Sequence, residues 1–196
     1  MKALIIYAHP EAQGFSSKTL EEVQNILQSK QINFETLDLY KMGYDPVLKL
    51  EELYTVGKRD ISPENQVIQD KIKESDRLIF IYPVWWGGMP AILKGFMDRV
   101  FTPGFAYKYR KDKFIKSIPD KLFNDKKIAI FISSGAPAIM YHAILDPIKI
   151  INKFIIFGLF SSKTKTYQTY GARQLDEKKI KELKQEVNSG MSWLLK

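Results

Sequence analysis

Five short runs of strand-forming residues, at 2–8, 33–38, 77–82, 127–133 and 164–170, alternate along this chain with segments of helical spacing. A run such as Leu78-Ile79-Phe80-Ile81-Tyr82 has no polar face to turn toward water. It needs cover on both sides, which strands of a parallel sheet receive from crossover helices. Leu20, Val23, Ile26 and Leu27 mark one such helix, and Val67, Ile68 and Ile72 mark another. A last helix over 176–195 carries a stripe through Ile180, Leu183, Val187, Met191 and Leu194. Residues 147–159 are apolar on most sides and predict a buried or partner-facing helix, with Asp146 as N-cap ahead of Pro147. Strands alternating with helices predict a three-layer α/β fold whose doubly wound, five-stranded parallel sheet has the order 2-1-3-4-5.

No Gly/Ser-rich or Pro-rich linker divides the 196 residues, so residues 1–196 are expected to form a single domain. The apolar runs fall short of the ~20 residues that cross a bilayer. Met1 to Ala8 reads as a first strand rather than a signal, since His9-Pro10-Glu11 follows and no small-residue cleavage site is present. No membrane insertion and a cytoplasmic location are therefore expected. The chain has no cysteine, which excludes disulfides, thiolate chemistry and Cys-ligated metal, and no metal site is expected. The net charge of +8 comes from 30 basic and 22 acidic residues. Its lysines are spread out, with small groups at 108–113 and 178–184 that include acidic residues. That pattern reads as a solvated surface with a mild attraction for small anions rather than a nucleic-acid footprint.

In a sheet of this kind ligands bind at the carboxyl ends of the strands, so the loops after the first, third and fourth strands carry the chemistry. After the first strand, His9 to Lys18 leads into a helix whose N-terminus suits a phosphate, with His9, Ser16, Ser17 and Lys18 as side-chain donors. It lacks the glycine spacing of a dinucleotide-binding turn and is not a Walker loop. After the third strand, Pro83-Val84-Trp85-Trp86-Gly87-Gly88 places two indoles and two glycines on a loop. Apolar rings there need cover, and glycines let backbone approach a flat heterocycle. After the fourth strand, Ser133-Ser134-Gly135 is again rich in small residues, and Tyr141 can donate to negative charge developing on a bound ring.

With these residues in view, the chain resembles the flavodoxin-like NAD(P)H:quinone oxidoreductases of the DT-diaphorase type, including their short bacterial members. The resemblance runs from Ala3 to about Gly171. Its opening signature stands here as Ala8-His9-Pro10 with Phe15-Ser16. A second motif comprises Pro83, Trp86, Gly88, Pro90, Ala91, Leu93, Lys94, Gly95, Phe96, Asp98, Arg99, Val100 and Phe101, and Gly104-Phe105-Ala106-Tyr107 follows.

The resemblance implies a flavin, FMN or FAD, with NAD(P)H as co-substrate. It implies that His9, Phe15, Ser16 and Lys18 hold the flavin phosphate. The backbone of Pro83, Val84, Trp85, Trp86 and Gly87 would bond the isoalloxazine edge, with Trp86 near its reactive centre. Ser133, Ser134 and Gly135 would lie near the pyrimidine end, and Tyr141 would stabilise charge on the reduced ring. It implies a homodimer in which Tyr107 and Tyr109 line the neighbouring subunit's pocket. Where members resembling the mammalian enzyme have a histidine six residues after that tyrosine, this chain has Pro147, and His142 is the only nearby histidine. The implied reaction is ping-pong: a hydride passes from NAD(P)H to flavin N5, then to a quinone or similar acceptor. Two other classes share the resemblance: a non-catalytic flavodoxin-like electron carrier, which is typically acidic, and a regulatory subunit of the potassium-efflux type.

Overall fold

The computed structural model describes residues 1–53, 60–109 and 119–196. The chain runs β1 (Lys2–Tyr7), α1 (Phe15–Ser29), β2 (Asn33–Asp38), α2 (Pro63–Glu74), β3 (Arg77–Pro83), α3 (Ala91–Val100), β4 (Tyr107–Lys108), β5 (Asp120–Lys121) and β6 (Lys127–Ser134). It continues through α4 (Ala138–His142), α5 (Pro147–Ile150), β7 (Thr164–Tyr170) and α6 (Glu177–Leu194). The main sheet has the order β2-β1-β3-β6-β7, with every pair parallel, and β4-β5 form a separate antiparallel ribbon. Counting main-sheet strands alone, this is the expected 2-1-3-4-5 order. Of the lysine group at 108–113, residues beyond Tyr109 lie outside those described.

The continuous apolar runs are explained by two cores, one on each face. Leu4 and Ile6, Leu78 and Phe80, and Ile128 and Ile130 point to one side. Ala3 and Ile5, Ile79 and Ile81, and Ala129 and Phe131 point to the other, where α1 and α6 supply Val23, Leu27, Leu183, Val187 and Leu194. The two edge strands β2 and β7 are only partly buried and correspondingly more polar. Helix starts follow capping rules: Ser62 accepts from Asn65 N–H at 3.3 Å ahead of Pro63, and Asp176 accepts from Lys179 N–H at 2.7 Å.

Near the third strand's loop, a buried ion pair fastens the neighbouring chain. Arg99 on α3 meets Glu52 at 2.8 and 2.9 Å through Nε and Nη2, and also donates to the Asp45 carbonyl. Gly95 on α3 lets Pro46 approach so closely that a Cβ would lie 2.0 Å from its carbonyl oxygen.

The segment after Asp146 departs from expectation. Asp146 stands at the N-cap ahead of Pro147, as expected, but its side chain does not cap: its backbone is left-handed (φ 48°), and its carboxylate instead accepts from the Tyr170 hydroxyl at 2.7 Å. The helix is also not uniform, since α5 passes into a π-helical turn at Ile151–Ile156 and a tight 3₁₀ turn at Phe157–Leu159. Ile148, Asn152 and Phe157 are buried, whereas Ile150, Ile151, Phe154 and Ile155 are exposed.

Candidate active site

The first loop leaves β1 at Tyr7 and enters α1 at Phe15. Gly14 is the N-cap, with φ 143°, and no side chain caps the helix. The first-turn N–H groups thus lack a side-chain acceptor and retain their attraction for an anion. Ser16 and Phe15 are buried beside this turn. Ser17 donates to the Gly14 carbonyl at 2.9 Å, and Lys18 pairs with Glu21 at 2.7 Å. Nδ1 of His9 accepts from Glu11 N–H at 3.1 Å, so in the neutral ring Nε2 carries the proton. The imidazole rests 5.9 Å from Trp85, ring centre to ring centre.

The tryptophan loop is a two-residue hairpin. Trp85 N–H donates to Gly88 O at 3.0 Å and Gly88 N–H to Trp85 O at 2.9 Å. Trp86 (φ 50°) and Gly87 (φ 75°) make the turn, both with positive φ as the tight primed turns require. This geometry separates the two indoles. Trp85 turns toward His9, while Trp86 stands fully in solvent. Val84 N–H is engaged by Ser133 O at 2.8 Å. Among the described residues no intrachain bond is made by the N–H groups of Trp86 and Gly87, which leaves these two donors of the loop open.

The third loop is braced by a fourth that sequence reasoning missed. Ala172 N–H donates to Ser134 O at 2.8 Å, Gly171 N–H to Ala136 O at 2.9 Å, and Arg173 Nε to Gly135 O at 3.0 Å. The Ser134 hydroxyl accepts from Gln168 at 3.0 Å. Arg173 therefore brings a cation to loop three. Its signal was its position, three residues past the end of an edge strand, in a loop to which no ligand role was given.

These pieces enclose a cavity of about 420 Å³ lined by His9, Phe15, Ser16, Pro83, Val84, Trp85, Ser133, Gly135 and Arg173, among others. It contains most of the predicted cofactor-binding residues. A second cavity of about 480 Å³ shares His9, Glu11 and Gly14 with it and extends past Lys18 to Asp38 and Tyr40. Tyr7 lines this second chamber. Burial, and then Asp38 and Glu11, push its phenol up to about 12. It stays protonated at neutral pH, and its hydroxyl has no partner among the described residues.

Other predicted residues lie elsewhere. Trp86 and Gly87 do not line the 420 Å³ cavity; they form the hairpin tip beside it. Tyr141 is half-buried at 5.5 Å from the Tyr170 ring, and no intrachain hydrogen bond to its hydroxyl is formed among the described residues. His142 does not bond to Tyr141. Its Nε2 lies 3.4 Å from Asp146, and its ring meets Tyr170 edge-on at 5.3 Å. Burial and the Asp146 carboxylate hold the Tyr170 phenol well above its ordinary value. Tyr107 and Tyr109 pack edge-to-face at 5.6 Å on a different surface, along a groove of about 520 Å³ with Met89, Phe101, Ile155 and Phe160.

The family described as having a flavodoxin-like fold matches residues 1–189. An uncharacterized NAD(P)H oxidoreductase of Haemophilus influenzae is 35% identical over 163 residues, covering 82% of this chain and 77% of that one. NAD(P)H dehydrogenase [quinone] 1 of Cavia porcellus is 35% identical over 159 residues, covering 71% of this chain. The match spans 55% of that enzyme, little more than half its length. Among solved structures, an NAD(P)H:quinone oxidoreductase from Methanothermobacter marburgensis superposes with a TM-score of 0.79 at 25% identity, covering 97% of this chain and 95% of that one.

Proposed function

The chain belongs to the family with the flavodoxin-like fold, and from that premise we propose that it is a flavin-dependent oxidoreductase passing reducing equivalents from NAD(P)H to a quinone-like acceptor. The observation that carries this reading is the convergence, at the carboxyl end of one sheet, of an uncapped helix start and the base of the tryptophan hairpin around one cavity, with the hairpin's two open N–H donors at its tip beside it. That donor set fits a flavin. Phosphate is a natural occupant of the α1 start, and the His9 Nε2–H and the Arg173 cation add to its attraction. The edge of a flat heteroaromatic ring offers acceptors to the N–H groups of Trp86 and Gly87, and Trp85 walls it from water. The second chamber gives the AMP extension of FAD somewhere to go, so FMN and FAD are both served by the same phosphate turn.

When bound, the flavin supplies the hydride chemistry, and the protein supplies binding, orientation and charge stabilisation. Tyr141, with its free hydroxyl, is the donor we assign to negative charge on the ring; His142 is committed to Asp146 and is given no relay role. The fully exposed Trp86 is the surface assigned to the nicotinamide or acceptor face, and Tyr107 and Tyr109 to a pocket completed between two copies. The exposed Ile144, Leu145, Ile150, Phe154 and Ile155 support a homodimer, since an apolar area of this kind calls for cover. No helix among the described residues is long and apolar enough to cross a membrane.

The reading is tested by NADPH-dependent menadione reduction. We expect sustained turnover, with flavin reduction slowed about tenfold or more in Tyr141→Phe, the scale of one lost charge-stabilising donor. Absence of turnover by flavin-loaded protein with any quinone would reject it.

A further inference from the structure

At the other end of the sheet, where the strands begin, lies a cavity of about 670 Å³. Five lysines line it: Lys127 at the start of β6, Lys149 and Lys153 on the segment after Asp146, and Lys163 and Lys165 at the start of β7. Among the described residues no acidic one lines it. Among the described residues, Lys149 alone of the five has a carboxylate within reach, Asp146 at 4.0 Å. Lys127 and Lys165 both crowd the Trp193 ring, at 5.4 and 5.1 Å from its centre. Burial, and then Arg77, Lys163, Lys165 and Lys196, hold the Lys127 ammonium below its ordinary value.

Lysines on an exposed edge strand guard against edge-to-edge association, and that explains Lys163 and Lys165. Lys127 is held by the Trp193 carbonyl, to which it donates at 3.2 Å, but neither explains why Lys149 and Lys153 arrive from another element at the same cavity. Like charges gathered in one cavity work against folding and are relieved by an anion. Ammonium groups act as point charges toward phosphate, whereas a planar carboxylate is better matched by the arginine fork that this lining lacks. The site is an open cavity lined by a local cluster of lysines rather than the long stripe of charge that a nucleic acid follows.

We propose that this cavity binds a compact, multiply charged phosphate group, presented by a soluble phosphate ester or by a lipid headgroup. The flavin loops follow the far ends of the same strands, so the starts of β6 and β7 with Lys127 and Lys163 stand roughly 20 Å from them at ~3.3 Å per residue, while Lys149 reaches back to the Tyr170 ring at 5.1 Å.

The test is calorimetric titration of the full chain with inorganic tripolyphosphate, beside co-sedimentation with phosphatidic acid and with phosphatidylcholine vesicles. Saturable binding of one tripolyphosphate per chain is expected. It should weaken about tenfold in both the Lys163→Gln/Lys165→Gln double variant and Lys153→Gln, with flavin content unchanged. Tripolyphosphate binding identifies a soluble ester as the source. Sedimentation with phosphatidic acid vesicles alone, lost in the same variants, identifies a headgroup. The proposal is overturned by no binding in either arm, or by binding that all variants retain. A double variant that aggregates, with Lys153→Gln binding like the parent, would leave the lysines as edge guards only.

Discussion

Trp86 shows how much rests on single residues. A bulky side chain at φ 50° is a strained choice where glycine would be at ease, and its ring gains nothing from burial in this chain. Strain of about 1–2 kcal/mol kept at an exposed aromatic points to use rather than packing. Trp86→Gly should therefore raise the melting temperature, by about 2–4 °C for each kcal/mol relieved. In the same variant KM for the acceptor should rise several-fold while flavin content is retained. A lowered melting temperature in calorimetry would show that the indole supports the fold after all. The partition between Trp85 and Trp86 was not legible in the sequence. Two adjacent tryptophans read alike until the turn sends one ring toward His9 and the other into solvent.

At the scale of elements, α3 is held by a contact that only glycine permits. Gly95→Ala would place a methyl 2.0 Å from the Pro46 carbonyl, forcing the chain around Arg99 and Glu52 to shift. Overpacking of this kind costs about 1–3 kcal/mol, a fall of roughly 2–12 °C in melting temperature by differential scanning calorimetry. An unchanged melting point would mean that the loop yields freely. The strands were legible because residues such as Leu78–Tyr82 are apolar on both faces, a pattern with few alternatives to a covered parallel sheet. The segment after Asp146 was less so. Its apolar count is that of a core helix, but the Asp146 carboxylate serves Tyr170 rather than the helix start, and one apolar side is left in water. Arg173 was hidden for a related reason: its place at the cavity depends on an edge-strand loop folding back onto Gly135, a contact between segments 38 residues apart.

The described residues place converging loops around a cavity at one end of the sheet, a lysine-lined cavity toward the other, and an exposed apolar flank. If that flank joins two copies, Phe154→Glu should yield monomers in analytical ultracentrifugation and reduce acceptor turnover, because Tyr107 and Tyr109 would no longer complete a neighbour's pocket. A dimer that survives this substitution would place the interface elsewhere. The central claim, that the converging loops form a flavin site, is tested most directly by the absorption spectrum and mass of what the purified protein releases on denaturation. The account predicts a yellow extract containing FMN or FAD in near-equal amount to the chain. A colourless protein that cannot be reconstituted with either flavin would contradict it.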